Sequence, residues 1–217
     1  MFSSILILSL AACASAFAPI STQSTSISSS ALKALEMNGW TPDEKEPCYG
    51  LPGAIMPMGF FDPGGFTTNK PLKEVKRLRE SEITHGRVAM MACVGYLAGE
   101  TVPSPFGVTG PANDQLSQLP VIPFAAMIIT IGALETFRAA KGFVEPGADT
   151  DFQTIRDTYY PGDLGFDPLG LKPKTAEEFA TRQAQEISNG RLAMFGVAGM
   201  CAQEYVNHLP ILPLQFE

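Results

Sequence analysis

Three stretches of this chain carry the hydrophobic pattern of helices that cross a bilayer. They run from about Leu72 to Gly99, from about Leu119 to Ala140, and from about Thr175 to His208. The middle one, LPVIPFAAMIITIGALETFRAA, is apolar nearly throughout. A helix needs ~20 mostly apolar residues to span the hydrocarbon. The outer two fall short of that, because their apolar runs extend only over Val88–Gly99 after Arg87 and Leu192–Ala202 after Arg191. They span only if charged residues lie inside the membrane or at its edge.

The basic residues follow the same division. No Lys or Arg occurs between Val88 and Phe137, and none after Leu192. With three crossings, all 15 fall on one side of the membrane or at its boundary, as the positive-inside asymmetry requires. Charged residues make up only 17% of the chain, below the usual quarter for soluble domains. The net charge of −7 argues against nucleic acid as a partner. The four cysteines (Cys13, Cys48, Cys93, Cys201) form no CxxC pair, so no zinc or redox site is expected of them.

The first residues, MFSSILILSLAACASA, read as a signal peptide of about 1–16, and FAPISTQSTSISSS then reads as an uncharged transit-like segment. Two successive targeting steps are therefore expected, and ASAFAP (Ala14–Pro19) resembles the bipartite plastid presequence of algae with secondary, red-lineage plastids, so that residues 1–30 are expected to be such a presequence. Residues 31–217 are expected to form the functional domain.

That domain contains an internal repeat. GFFDPGGF (Gly59–Phe66) precedes the first apolar stretch and GFDPLGL (Gly165–Leu171) precedes the third. Glu-x-x-His/Asn-Gly-Arg-x-Ala-Met begins at Glu82 and again at Glu186, within a residue of the offset between Asp62 and Asp167. Two copies of one loop-plus-helix unit predict an all-α membrane protein of three transmembrane helices. The first and third are expected to cross, related by a pseudo-twofold axis.

An isolated ionisable side chain in hydrocarbon costs roughly 2.5–3.5 kcal/mol even on the mildest scale. Glu82 and Arg87 are five residues apart, a poor intrahelical spacing. Crossing the two helices solves the problem, since Glu82 then meets Arg191 and Glu186 meets Arg87. Gly86, Gly190, Ala89 and Ala193 permit close approach. His85 and Asn189 lie three residues after their glutamates, near the same helix face. Each copy thus displays an oxygen ligand and a second polar ligand in apolar surroundings. The magnesium of a hydrophobic macrocycle satisfies both, and chlorophyll is the obvious carrier.

These residues resemble the chlorophyll a/b- and a/c-binding light-harvesting superfamily, and most closely its fucoxanthin chlorophyll a/c branch of diatoms and related algae. The resemblance rests on the paired E-x-x-H-G-R and E-x-x-N-G-R helices, the FDPxG loops and the presequence, and it covers nearly the whole mature chain. It implies that Glu82, His85, Glu186 and Asn189 are axial ligands of chlorophyll magnesium, with Arg87 and Arg191 as the pairing cations. It further implies a ligand at Gln203, about 40° around and ~21 Å along the helix from Asn189, and another at Glu135, partnered by Arg138. Asp62 and Asp167 would sit in loops that hold carotenoid ends.

Three departures from the family are visible. Met127 replaces a polar residue of land-plant relatives, no histidine occupies their far C-terminal ligand position, and Gly64-Gly65 in place of Leu-Gly implies a looser first loop. The expected cofactors are chlorophyll a, chlorophyll c and fucoxanthin or another xanthophyll. The expected partners are the thylakoid bilayer, a photosystem core and other antenna subunits, with homo- or hetero-oligomers. Trp40, Tyr159 and Tyr160 suit a membrane-interface belt.

The expected function is a thylakoid antenna that passes excitation to photosystems, with no catalytic constellation. The close rival is a photoprotective, energy-dissipating member of the same family, for which Glu100, Asp114 and Glu204 are the far-side acids. A transporter using intramembrane charges is the rival of another class.

Overall fold

The computed structural model describes residues 37–56, 58–102, 106–147 and 153–211. The expected presequence and Cys13 lie outside them. Four α-helices follow in order: α1 (Leu72–Thr101), α2 (Ala112–Gln118), α3 (Val121–Gly142) and α4 (Ala176–Asn207). Among the described residues there is no strand, only isolated bridges such as Phe143 with Ile155.

Local chemistry sets the helix boundaries. Thr175 caps α4, its hydroxyl accepting from the Glu178 amide, and Glu177 and Glu178 place negative charge in the first turn. Pro71 and Pro120 stand at the starts of α1 and α3, where an amide would have no intrahelical partner in any case. A Lys70–Glu74 pair at 3.0 Å braces the first turn of α1. His208 closes α4 in the left-handed region at φ 53°, and Pro210 follows.

The main packing event is the crossing of α1 and α4. A Cβ built on Gly86 would lie 3.1 Å from the Gly190 Cα, and one built on Gly190 would lie 2.9 Å from the Gly86 Cα. Ile83, Ala89 and Ile187 are buried around this point. No other residue type permits backbones this close, which is why the glycine of each repeat sits beside its arginine.

Helix α3 packs differently. It is the one helix among the described residues apolar and long enough to cross a membrane, and none of its apolar window is buried within the chain. Ile129 is 70% exposed and Leu134 65% exposed. In water such a helix would collapse onto its neighbours. An apolar helix exposed all round belongs in an apolar medium.

At the basic end, a small core of Met37, Leu51, Val75 and Tyr160 packs with Trp40 and Phe179. Tyr160 meets the Trp40 and Phe179 rings edge-on. This corrects the interface-belt expectation: Tyr159 and Tyr160 are buried, and Trp40 donates to the Tyr49 carbonyl within the same core. Burial raises the Tyr160 phenol to about 12, and burial together with the Glu80 carboxylate raises Tyr159 further, so both are neutral donors. Lys76, 1% exposed, spans the core, its Nζ donating to the carbonyls of Asp157 (2.8 Å) and Tyr159 (3.0 Å).

The opposite end is held by α2, which hydropathy did not reveal. Its first amides, Ala112 and Asn113, donate to the Glu204 carboxylate at 3.3 and 2.8 Å. Glu204 is buried in this role.

Candidate functional site

The α1–α4 crossing brings the repeated charges together from opposite helices. Arg87 Nε donates to Glu186 Oε1 at 2.6 Å. Arg191 Nε and Nη2 both donate to Glu82 Oε1, at 2.8 and 2.7 Å. The two contacts flank the glycine crossing, so each helix supplies the cation for the other's carboxylate. Arg191 Nη1 also donates to the Gly53 carbonyl at 3.0 Å, tying the N-terminal segment to the site.

The two copies are not equivalent. Glu82 Oε2 accepts from Arg79 Nη1 at 2.7 Å, so both oxygens of Glu82 are engaged and two guanidinium groups face one carboxylate. Glu186 has one cation, and its Oε2 has no hydrogen-bond partner among the described residues. Sequence reasoning expected a free oxygen in both copies and missed Arg79. The signal was present, because Arg79 and Glu82 are three apart on one helix face.

His85 is exposed, and its Nδ1 lies 2.7 Å from the Ser81 carbonyl oxygen. A carbonyl only accepts, so Nδ1 carries a proton, and in the neutral ring Nε2 is the nitrogen with a lone pair. Such a hydrogen bond orients an imidazole that ligates a metal. Asn189 and Gln203 are exposed, with no side-chain hydrogen bond among the described residues. On α3, Arg138 Nε and Nη2 fork onto Glu135 Oε2 at 3.0 and 2.7 Å, and Glu135 Oε1 is unoccupied by any described residue. The donor chemistry therefore fits magnesium-centred macrocycles. Neutral nitrogen, amide oxygen and charge-compensated carboxylate stand singly along the helices rather than in a shared metal cage, and no cluster of metal-binding side chains occurs among the described residues.

The two loops close alike. Asp62 accepts from the amides of Phe66 and Thr67, and from the Thr67 hydroxyl at 2.6 Å. Asp167 accepts from the amides of Leu171 and Lys172, each at 2.9 Å. These bonds hold both carboxyls below the usual carboxylate range, through Thr67 in the first loop and the Lys172 and Leu171 amides in the second. Their oxygens are spent on folding the loops, and Gly64-Gly65 does not prevent the first from closing. Phe66, Phe166 and Leu171 stay exposed on them. A cavity of about 630 Å³ opens between the second loop and the start of α4, bounded by Arg87, Glu186, Phe166 and Phe179.

Sequence reasoning also missed Glu80. It is 3% exposed and accepts from Arg138 Nη1 (3.3 Å), the Tyr159 hydroxyl (3.0 Å) and the Gly162 amide (2.7 Å). No spacing rule reveals this site, because its partners come from distant parts of the chain.

Residues 47–205 match the family described as Chlorophyll A-B binding protein. The chain is 45% identical over 190 residues to a chloroplastic fucoxanthin-chlorophyll a-c binding protein of Isochrysis galbana, covering 86% of this chain and 91% of that one. It is 46% identical over 178 residues to the light-harvesting complex stress-related protein 3.2 of Chlamydomonas reinhardtii, covering 77% and 68% respectively. Fucoxanthin-chlorophyll a-c binding protein F of Macrocystis pyrifera is 30% identical over 164 residues, covering 74% and 76%.

Proposed function

The chain belongs to the chlorophyll A-B binding protein family and is a light-harvesting protein of the plastid, and we propose that its crossed helices hold pigments through the charges they neutralise. Its cofactors are chlorophyll a, chlorophyll c and fucoxanthin, and it serves photosystems from the membrane. When bound, the chlorophylls supply light absorption and excitation transfer between neighbours. In this reading α1, α3 and α4 all span the thylakoid bilayer, α1 and α4 form a pseudo-twofold pair, and residues 1–30 direct the chain to the plastid.

The residues have distinct tasks. Glu186 offers Oε2 to magnesium while Arg87 cancels its charge through Oε1. Glu82 has no oxygen free of a guanidinium, so it would reach magnesium only through an oxygen that Arg191 or Arg79 also holds. His85 offers Nε2, fixed by the Ser81 carbonyl, and Asn189, Gln203 and Glu135 offer amide or carboxylate oxygens. Asp62 and Asp167 shape the loops whose exposed aromatic and aliphatic side chains meet carotenoid ends. The observation that carries the reading is the reciprocal ion pairing across Gly86 and Gly190. It removes the charge penalty and leaves ligand atoms facing outward into an apolar medium.

Pigment extraction and the absorption spectrum of the purified complex test this reading, together with Glu186→Ala. The variant is expected to lose chlorophyll and assemble poorly, whereas an unchanged pigment count would remove its basis. Similarity to a stress-related relative favours a second reading, in which the same pigments dissipate energy as heat. Fluorescence lifetime at neutral and acidic pH separates the two: a lifetime that shortens in acid supports dissipation, and a constant one supports harvesting.

A further inference from the structure

Helix α3 has little packing to fix its position. Its apolar window is wholly unburied within the chain, and a backbone bridge at Phe143–Ile155 holds only its very end. Among the described residues, every side-chain hydrogen bond from α3 to α1 comes from one guanidinium, that of Arg138. Its Nε and Nη2 face Glu135, while Nη1 donates to Glu80 Oε1 at 3.3 Å and to the Thr84 hydroxyl at 3.2 Å. Glu80 and Thr84 are one turn apart on α1, so they form a single acceptor face for that nitrogen.

Glu80 is itself fixed from the other side. Tyr159 and the Gly162 amide hold Oε2, so its carboxylate cannot follow Arg138 if α3 moves. Its burial also removes it from contact with any pigment. We propose that Glu80 is a positioning residue for the α3 pigment site: through Arg138 it sets where Glu135 presents its free oxygen. This rests on the reading of Glu135 as a chlorophyll ligand. It predicts that a residue on α1, out of reach of the pigment, governs occupancy on α3.

The test uses the full chain reconstituted with chlorophyll a, chlorophyll c and fucoxanthin, with pigment count and visible circular dichroism as readouts. Glu135→Leu is expected to lose one chlorophyll and its band. Glu80→Gln is expected to lose the same chlorophyll, with the same difference spectrum, and the double variant no more than either. Tyr159→Phe removes one of the two donors to Oε2 but leaves the shorter Gly162 amide bond and the Arg138 contact, so it is expected to keep the full complement. Thr84→Val touches Arg138 without touching the 159–162 segment, and is expected to lower occupancy in that same band. It decides the matter should Glu80→Gln fail to assemble. Full occupancy in Glu80→Gln or Thr84→Val, or a loss spread over all bands, overturns the positioning role. Full occupancy in Glu135→Leu overturns the ligand reading itself, and the positioning role with it.

Discussion

Replacing Gly190 with alanine adds one methyl group where the structure has no room. The new Cβ would sit 2.9 Å from the Gly86 Cα and 3.5 Å from its carbonyl carbon. Carbon atoms rest at about 3.5–4.0 Å, so the gap is short by roughly 0.6–1.1 Å. The obstacle is helix backbone, which cannot rotate aside as a side chain does, so α1 and α4 must separate. The bonds flanking the crossing, now 2.6–2.8 Å, would then stretch past good hydrogen-bond length. Overpacking of this kind costs about 1–3 kcal/mol. Gly196→Ala on the same helix is the control, because its Cβ would meet only the Cys93 Sγ at an ordinary 3.6 Å. Reconstituted variants would be heated while visible circular dichroism follows loss of the pigmented state. Gly190→Ala should melt well below Gly196→Ala. Equal midpoints would refute the claim that the crossing is at backbone contact.

The remaining predictions concern charge. Arg87→Leu leaves Glu186 without a cation, a loss of about 2.5–3.5 kcal/mol on a membrane insertion scale, whereas Arg191→Leu leaves Glu82 still paired with Arg79. Thermal midpoints should therefore rank Arg191→Leu above Arg87→Leu, and adding Glu186→Leu to Arg87→Leu should recover assembly while the pigment at that site stays lost. The reverse ranking contradicts the pairing scheme. Asp62 and Asp167 have carboxyl pKa values held below the ordinary 3.8, so their loop contribution is complete above that pH and fades as pH falls through the lowered values. Limited proteolysis of the two loops should be unchanged between pH 7 and pH 5. Cleavage that increases over this range would show that other bonds close the loops.

Much of this arrangement could be read from the sequence because the repeat is a physical constraint. A glutamate and an arginine five apart cannot pair within one helix, so in an apolar stretch each needs a partner elsewhere, and the second copy provides one. The glycine beside each arginine marked a place of close approach, by a helix or by a flat ligand, and the structure fills it with the other helix. What the sequence could not disclose depends on contacts between distant segments. Glu80 looks like any charge in the first turns of α1, until the chain brings Tyr159, Gly162 and Arg138 to it. Tyr159 and Tyr160 have interface composition, yet they serve a core assembled partly from the N-terminal segment. Helix α2 was invisible because a seven-residue polar helix has no hydrophobic period, and its start is fixed by Glu204 from another helix.

The central claim is that the carboxylates at the crossing serve two partners at once, an arginine and a pigment metal. An experimental density map of the purified complex measures this directly, through the position of magnesium relative to Glu186. The account predicts magnesium at about 2.1 Å from Oε2, with Arg87 still bonded to Oε1. Macrocycles packed against α4 with their metal ligated by water or another residue, and Glu186 turned wholly toward Arg87, would contradict it.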